Sequence, residues 1–415
     1  MNEVEPPRLK RSLGLADAVG IGLGAIIGAG VFVAIAPAVG AAGSLALAGV
    51  VVAGLVALFN ALSAAQLAAA YPVSGATYAY GRIVVSQFAG FISGWIFVFA
   101  AIAADSAISL TFATYLGFLL PAVPPRLFAV LLALAATGLN YWGLRYSARV
   151  NTVLVIAKVA VLGVFVAAGA FFFRPERLQL SPASIPDVLQ AAAILFFAYT
   201  GYARIATLGE EVRDPERNIP RAILAALGLS GGLYLGVLLV ALGLLGPARL
   251  AASAAPLASA AIVTGITPSA YLVAAGALLS TSTVLLTDLL GISRVVFAMA
   301  RDGELPPWLA GLNRRSNPGR AILLSGAVVI VLAGLFPLTR LVEAGSFGLL
   351  VYYALTNLAA ILLSEERRRY HRIWAAAGLV SCLGLALFLS PQTIVLGMLV
   401  IGLGALYFRV RRRLG

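Results

Sequence analysis

The chain has 415 residues, 61% of them apolar and only 11% charged, whereas soluble domains carry about 25% charged residues. That excludes a soluble protein and leaves a polytopic membrane protein with no loop long enough for a soluble module. A single cysteine, Cys382, and a single histidine, His371, exclude intramolecular disulfides, Cys/His metal clusters and a Ser-His-Asp triad, so no metal, cofactor or enzymatic chemistry is expected.

A membrane span needs roughly 20 apolar residues. Twelve candidate segments lie near 13–38, 43–70, 83–118, 126–143, 150–173, 186–207, 221–245, 267–299, 320–336, 339–363, 373–389 and 392–409. The formal charge of +13 would suit nucleic acid, but the basic residues fall in short runs between spans, where they read as anchors in the bilayer. With a cytoplasmic N-terminus, 23 of the 29 Lys and Arg residues lie in cytoplasmic segments, five are external (Arg126, Arg174, Arg177, Arg249, Arg340), and Lys158 is inside a span. The positive-inside rule therefore predicts a multi-pass cell-membrane protein with both termini cytoplasmic. The first apolar segment lacks the short core and cleavage site of a signal peptide.

In chain order, the first span follows Arg8, Lys10, Arg11 and Ser12, carries Asp17, and holds Gly22-Leu23-Gly24-Ala25-Ile26-Ile27-Gly28-Ala29-Gly30-Val31-Phe32, four glycines in eleven residues. Glycine costs about 1 kcal/mol relative to alanine in a helix interior. The cluster therefore marks either a helix break, tolerated in lipid only where protein or a cavity surrounds it, or close packing through a small-xxx-small pattern. The second span ends in a turn at Tyr71-Pro72-Val73-Ser74-Gly75, and Tyr71 to Tyr80 reads as a short loop or re-entrant piece. The third contains Asp105, read either as a transport carboxylate or as a packing carboxylate hydrogen-bonded to Ser106 or Ser109.

The fifth span opens after Arg145, Arg149 and Asn151 and places Lys158 roughly 10 Å into a core of about 30 Å. Its stem could snorkel to the edge, or the buried amine could bind and release a proton. The sixth span has only twelve apolar residues, Val188 to Tyr199, before Gly201. A charged run follows, punctuated by Asp214-Pro215 and Ile219-Pro220. Spans one and six are thus interrupted near mid-membrane five spans apart, so the two halves have opposite orientation, which points to a midplane substrate site. Half-helix N-termini there favour a carboxylate, and unpaired carbonyls favour an ammonium, so the site suits a zwitterion. In span eight, Ser280, Thr283 or Val284, and Thr287 share a face, where the hydroxyls could coordinate Na⁺ or accept a hydrogen bond from an ammonium group, and Asp288 follows; back-bonding within the helix is the alternative use of those hydroxyls. Span ten has Glu343 and Asn357. Spans eleven and twelve carry no buried charge and read as scaffold.

These stretches, with Glu210-Glu211-Val212-Arg213-Asp214-Pro215-Glu216-Arg217-Asn218-Ile219-Pro220-Arg221 and the run from Ser293-Arg294 to Pro306, resemble the amino acid-polyamine-organocation family of transporters over most of spans one to ten. The resemblance implies an all-α protein of about 12 transmembrane helices with a five-plus-five inverted repeat of the leucine-transporter type. Repeat one would cover about 12–173, repeat two about 186–363, and extra helices about 373–411, all in one transmembrane domain spanning 1–415. It implies a substrate site at Ile27, Gly28, Ala29 and Gly30 with Phe197, Ala198, Tyr199 and Gly201 opposite. Lys158 matches the span-five lysine of proton-coupled members, with Thr283 and Thr287 as further proton-coupling candidates; Asp105 is a proton-coupling candidate from its place inside span three alone, has no general role in the family, and leaves a cationic substrate open. The expected function is proton-coupled uptake of an amino acid, neutral by the small residues of the pocket-forming stretches, by alternating access. A gradient-independent amino acid or amine exchanger is the alternative. Relatives often carry an acidic residue shortly after the span-six Gly-aromatic pair, where Ala203-Arg204 stands here.

Overall fold

The computed structural model describes residues 13–71, 76–122, 124–143, 148–178, 183–202, 205 and 212–414. Arg8, Lys10, Arg11 and Ser12, the turn at 72–75, Arg145, Ala203-Arg204 and the stretch 206–211 lie outside the described residues. Helices α1 (Leu15–Ile26) and α2 (Gly30–Ala42) make the first span, α3 (Ala46–Ala70) the second, and the short α4 (Ala76–Tyr80) follows. Next come α5 (Gln87–Leu119), α6 (Pro125–Tyr141), α7 (Ala148–Ala170), α8 (Ile185–Tyr199) and α9 (Pro215–Leu245). The short α10 (Pro247–Ala252) and α11 (Pro256–Ile262) lead to α12 (Thr267–Arg301), α13 (Gly319–Leu335), α14 (Leu338–Ile361), α15 (Arg372–Ala386) and α16 (Pro391–Leu414). Every one of the twelve apolar segments is occupied by a helix or a broken pair. Among the described residues there is no strand, only an isolated bridge between Leu13 and Val212.

Local chemistry sets the boundaries. Proline opens α6, α9, α10, α11 and α16, where its missing N–H leaves no bond unmade. Ser86 caps α5 by accepting from the Ala89 N–H at 3.1 Å, the use of serine that helix starts favour. Asp187 caps α8 by accepting from the Ser184 N–H and hydroxyl, both at 2.7 Å. Ordered helical structure extends beyond the short piece expected over Tyr71 to Tyr80. After α4 the chain makes a π-helical turn over Gly81–Val85 that lies on α5, with a Cβ at Gly81 only 2.9 Å from the Gly90 Cα.

Packing repeats with a period of five spans. Helix α1 packs on α9 as α8 packs on α3, α7 on α1 as α14 on α8, α12 on α7 as α5 on α14, and α12 on α13 as α5 on α6. Helices α15 and α16 lie outside this pattern, against α14, α3 and α5. Near the start of α14, Glu343 accepts from the hydroxyls of Ser390 and Thr393, the latter at 2.8 Å. Arg340 donates to the Ser390 hydroxyl at 2.9 Å and the Gln392 amide oxygen at 3.0 Å, so α16 is tied to the repeat it follows.

At the arginine-rich end of the bundle, α4 and the π-helical turn are clamped to the segment after α12. Arg82 bonds Asp302 at 2.7 Å and lies 3.7 Å from Glu304, and the Tyr78 hydroxyl donates to Asp302 at 3.0 Å. Burial pushes the Glu304 carboxyl up, against the pull of Tyr78, Arg82 and Arg411. A raised folded-state value makes this group's contribution to stability full below its ordinary 4.5 and progressively lost as pH rises through the raised value. Glu304→Gln is therefore expected to melt at a higher temperature than wild type at neutral pH, with the difference vanishing in acid. Thermal unfolding scans across that range check it.

Candidate functional site

The first span is broken at Ile27–Ala29. Ile27 has φ −77° and ψ 62°, and the Gly28 N–H donates to the Ile26 carbonyl at 2.7 Å, which closes an inverse γ-turn. Helix α2 restarts where the Phe32 and Val33 N–H groups donate to the Ala29 carbonyl, both at 3.0 Å. The first N–H groups of α2 have no intrahelical acceptor by geometry. They make a positive helix end inside the bundle. In the sixth span α8 gives way to a 3-10 turn over Thr200–Tyr202, whose Thr200 carbonyl accepts from the Tyr353 hydroxyl at 3.0 Å.

The two breaks lie against each other, and glycine makes that possible. A Cβ at Gly30 would stand 2.5 Å from the Ala198 Cα, and one at Gly201 would stand 2.2 Å from the Ala25 carbonyl carbon and oxygen. Helix break and close packing are thus both realised in the same stretch. Ile27, Ala29, Phe197, Ala198 and Tyr199 are all buried, so the site is closed on itself.

A residue not anticipated from the sequence links the breaks. The Tyr234 hydroxyl of α9 lies 2.5 Å from the Ile26 carbonyl oxygen and 3.0 Å from that of Ala198, and its ring meets the Tyr199 ring edge-on at 5.3 Å. One proton serves two carbonyls, one from each broken helix. The available signal was a lone hydroxyl-bearing aromatic amid the leucines and glycines of span seven. Tyr234→Phe is expected to lower uptake about tenfold, since losing a buried hydrogen bond costs roughly 1–1.5 kcal/mol; initial-rate assays check it.

Lys158 is 5% exposed, and its neighbours locate it. Val155 fills the space beside Gly24 of α1, where a Cβ would approach it to 2.3 Å, and Val161 fills the space beside Gly276 of α12, at 2.6 Å. Three residues along a helix turn the direction by about 60°, so Lys158 points into the angle between α1 and α12. On α12, Val284 packs on Gly28, where a Cβ would come within 2.9 Å. Thr283 and Thr287 flank that contact. Thr283 donates to the carbonyls of Leu279 and Ser280 at 2.8 and 3.0 Å, and Thr287 to those of Thr283 and Val284 at 3.1 and 3.0 Å. Their protons are committed within α12, which leaves only oxygen lone pairs for a cation. One turn earlier, the Ser280 hydroxyl is fully buried with no protein partner.

Asp105 is 1% exposed, midway along α5. The expectation that Ser106 or Ser109 would hydrogen-bond its carboxylate is corrected. Ser106 donates to the Ile102 and Val329 carbonyls at 2.8 and 3.2 Å, and Ser109 to the Asp105 backbone carbonyl at 2.8 Å, because in lipid a serine hydroxyl is readily satisfied by the carbonyl one turn back. The adjoining turn of α5 packs on Gly345 of α14, where a Cβ would stand 3.4 Å from Ala100 and Ala104 backbone atoms and 3.5 Å from the Phe197 ring. Asp105 is the next residue along α5 after Ala104.

An all-α bundle with two facing helix breaks and buried titratable groups beside them is the architecture of a membrane transporter, not an enzyme. The amino acid permease family profile matches residues 17–413, so the chain belongs to the amino acid permease family. It is 44% identical over 411 residues to an uncharacterized transporter of Mycobacterium tuberculosis, covering 98% of this chain and 92% of the relative. It is 32% identical over 437 residues to the branched-chain amino acid permease BcaP of Bacillus subtilis, covering 98% and 94%. A vacuolar cationic amino acid transporter of Arabidopsis thaliana is 28% identical over 383 residues, covering 86% of this chain and 60% of the relative.

Proposed function

We propose that the chain imports a neutral amino acid together with a proton across the cell membrane, with its arginine-rich end and both termini in the cytoplasm. The observation that carries this reading is the backbone contact between the two breaks, Gly30 on Ala198 and Gly201 on Ala25, with Lys158 pointing between α1 and α12 beside them. The N-terminus of α2 would receive the substrate α-carboxylate at Ile27, Gly28, Ala29 and Gly30. Carbonyls of Phe197, Ala198, Tyr199 and Gly201 would receive the α-ammonium. The repeats would run over about 12–173 and 186–363, with the helices of 373–411 appended.

In this reading a protonated Lys158 donates to carbonyls freed by the first break and to the lone pairs of Thr283 or Thr287. Loss of the proton removes those bonds and releases α1. Asp105 would serve as a second titratable group in the same cycle. The small lining residues favour an apolar side chain, as does the likeness to a branched-chain permease.

The test is uptake into proteoliposomes with an acidic exterior. Labelled leucine is expected to accumulate in vesicles containing no amino acid, and labelled arginine is not. Leucine uptake that requires internal amino acid and ignores pH would make the protein an exchanger.

A further inference from the structure

On the outer face of α16, near its start, Gln392, Val395, Leu396 and Leu399 recur at i, i+3, i+4 and i+7, one side of a helix. With Pro391 they line an open groove of about 370 Å³. Its walls are apolar apart from Gln392, and Val395 and Leu399 are each 59% exposed. The same side continues along the helix at Leu403 and Leu406, 60% and 59% exposed. Leucines and valines that face hydrocarbon are ordinary in a membrane protein. The charged group at the mouth of this groove is not.

That group is Arg340 of α14, an exposed residue. Its Nη1 donates to Gln392 Oε1 at 3.0 Å and to the Ser390 hydroxyl at 2.9 Å, so the guanidinium is held against a residue that lines the groove. Both acceptors are neutral, and among the described residues Arg340 forms no ion pair. The Glu343 carboxylate stands one hydroxyl away, behind Ser390, and at 4% exposure it is buried from the bilayer. Using one nitrogen for both bonds leaves the Nη2 and Nε edge of the fork for an outside acceptor. Both α14 and α16 start here, so the fork lies at headgroup depth and the groove runs from it towards the hydrocarbon.

Most occupants would serve only half of this arrangement. Inorganic phosphate would meet the fork and leave the groove empty. A second apolar helix would fill the groove and leave the fork without an anion. An amphiphile with a phosphate above a hydrocarbon chain satisfies both, because arginine pairs phosphate through two parallel bonds and a cation at the membrane surface favours an anionic lipid.

We propose that this groove binds one anionic phospholipid of the phosphatidylglycerol kind, with its phosphate on Arg340 and one acyl chain along Val395, Leu396 and Leu399. Since Arg340 also holds Ser390 and Gln392, the bound lipid braces the start of α16 against α14. The site requires only that the chain spans a bilayer, so it stands apart from the transport reading.

The test places the full chain in phosphatidylcholine vesicles containing a small, equal mole fraction of phosphatidylglycerol or phosphatidylcholine with a photoreactive diazirine in one acyl chain. After illumination, peptide mass spectrometry reads labelling of residues 391–399. The glycerol lipid is expected to label that stretch about five-fold more than the choline lipid, the effect of one arginine near the surface. Arg340→Gln is expected to bring the ratio to about one, with choline-lipid labelling unchanged. Equal labelling by the two lipids in the wild-type protein overturns the proposal, and so does a preference that survives Arg340→Gln. No labelling by either lipid overturns it as well, because protein then covers the groove. Where Arg340→Gln lowers both labels, α16 has shifted, and Arg340→Lys decides: a retained preference for the glycerol lipid supports the site, and a ratio of one overturns it.

Discussion

Gly201→Ala is expected to abolish uptake. Its Cβ would stand 2.2 Å from the Ala25 carbonyl carbon and oxygen and 2.5 Å from the Ile26 nitrogen. All three are backbone atoms at the end of α1, so no rotamer change relieves the overlap. The two breaks must separate by more than 1 Å to reach ordinary contact, which undoes the geometry that would hold a zwitterion. Overpacking alone costs about 1–3 kcal/mol, so the folded variant is expected to be recovered in reduced yield and to be inactive. Gly20→Ala is the control. Nothing lies within 4 Å of a Cβ there, and the helix gains about 1 kcal/mol from alanine, so uptake should be unchanged and melting raised. Retention of half or more of wild-type uptake by Gly201→Ala would show that the close approach is not part of the site.

Lys158→Ala is expected to leave substrate exchange and remove gradient-driven accumulation. With one proton per substrate, a difference of one pH unit supports about tenfold accumulation, since one unit is worth 1.36 kcal/mol. Without the proton carrier that ratio should fall to about one. Lys158→Arg should fail in the same way although it keeps the positive charge, because a guanidinium does not give up its proton. The paired result separates a titrating role from a structural one: a lysine needed only as a cation would be rescued by arginine. Accumulation ratios under an imposed gradient, measured beside counterflow of labelled substrate, check both variants.

Much of the fold follows from local features of the sequence. Apolar length gave twelve segments that the helices occupy. Glycine density marked the first break, and the shortness of the apolar run before Gly201 marked the second. The sequence posed break and packing as rivals at Gly24 to Gly30. Only the placement of Ala198 against Gly30 and of Ala25 against Gly201 shows that one stretch does both. Such contacts join residues some 170 positions apart, and no local period encodes them. Tyr234 escaped notice for the same reason, because its role depends on two carbonyls from different spans. The Ser106 and Ser109 assignment erred by favouring a neighbouring side chain over the carbonyl one turn back. The buried bond from the Asn357 amide to Asn60 Oδ1, at 2.6 Å, was half visible: Asn357 stood out as a polar residue in span ten, but its partner in span two did not.

The measurement that bears most directly on the account is proton movement driven by substrate in the wild-type protein. Proteoliposomes loaded with a pH-sensitive dye, voltage-clamped by an ionophore and free of internal amino acid, are given external leucine at equal pH on both sides. The account predicts that the interior acidifies on addition of leucine and that Lys158→Ala vesicles show no change. Leucine entry with no acidification in wild-type vesicles would contradict it.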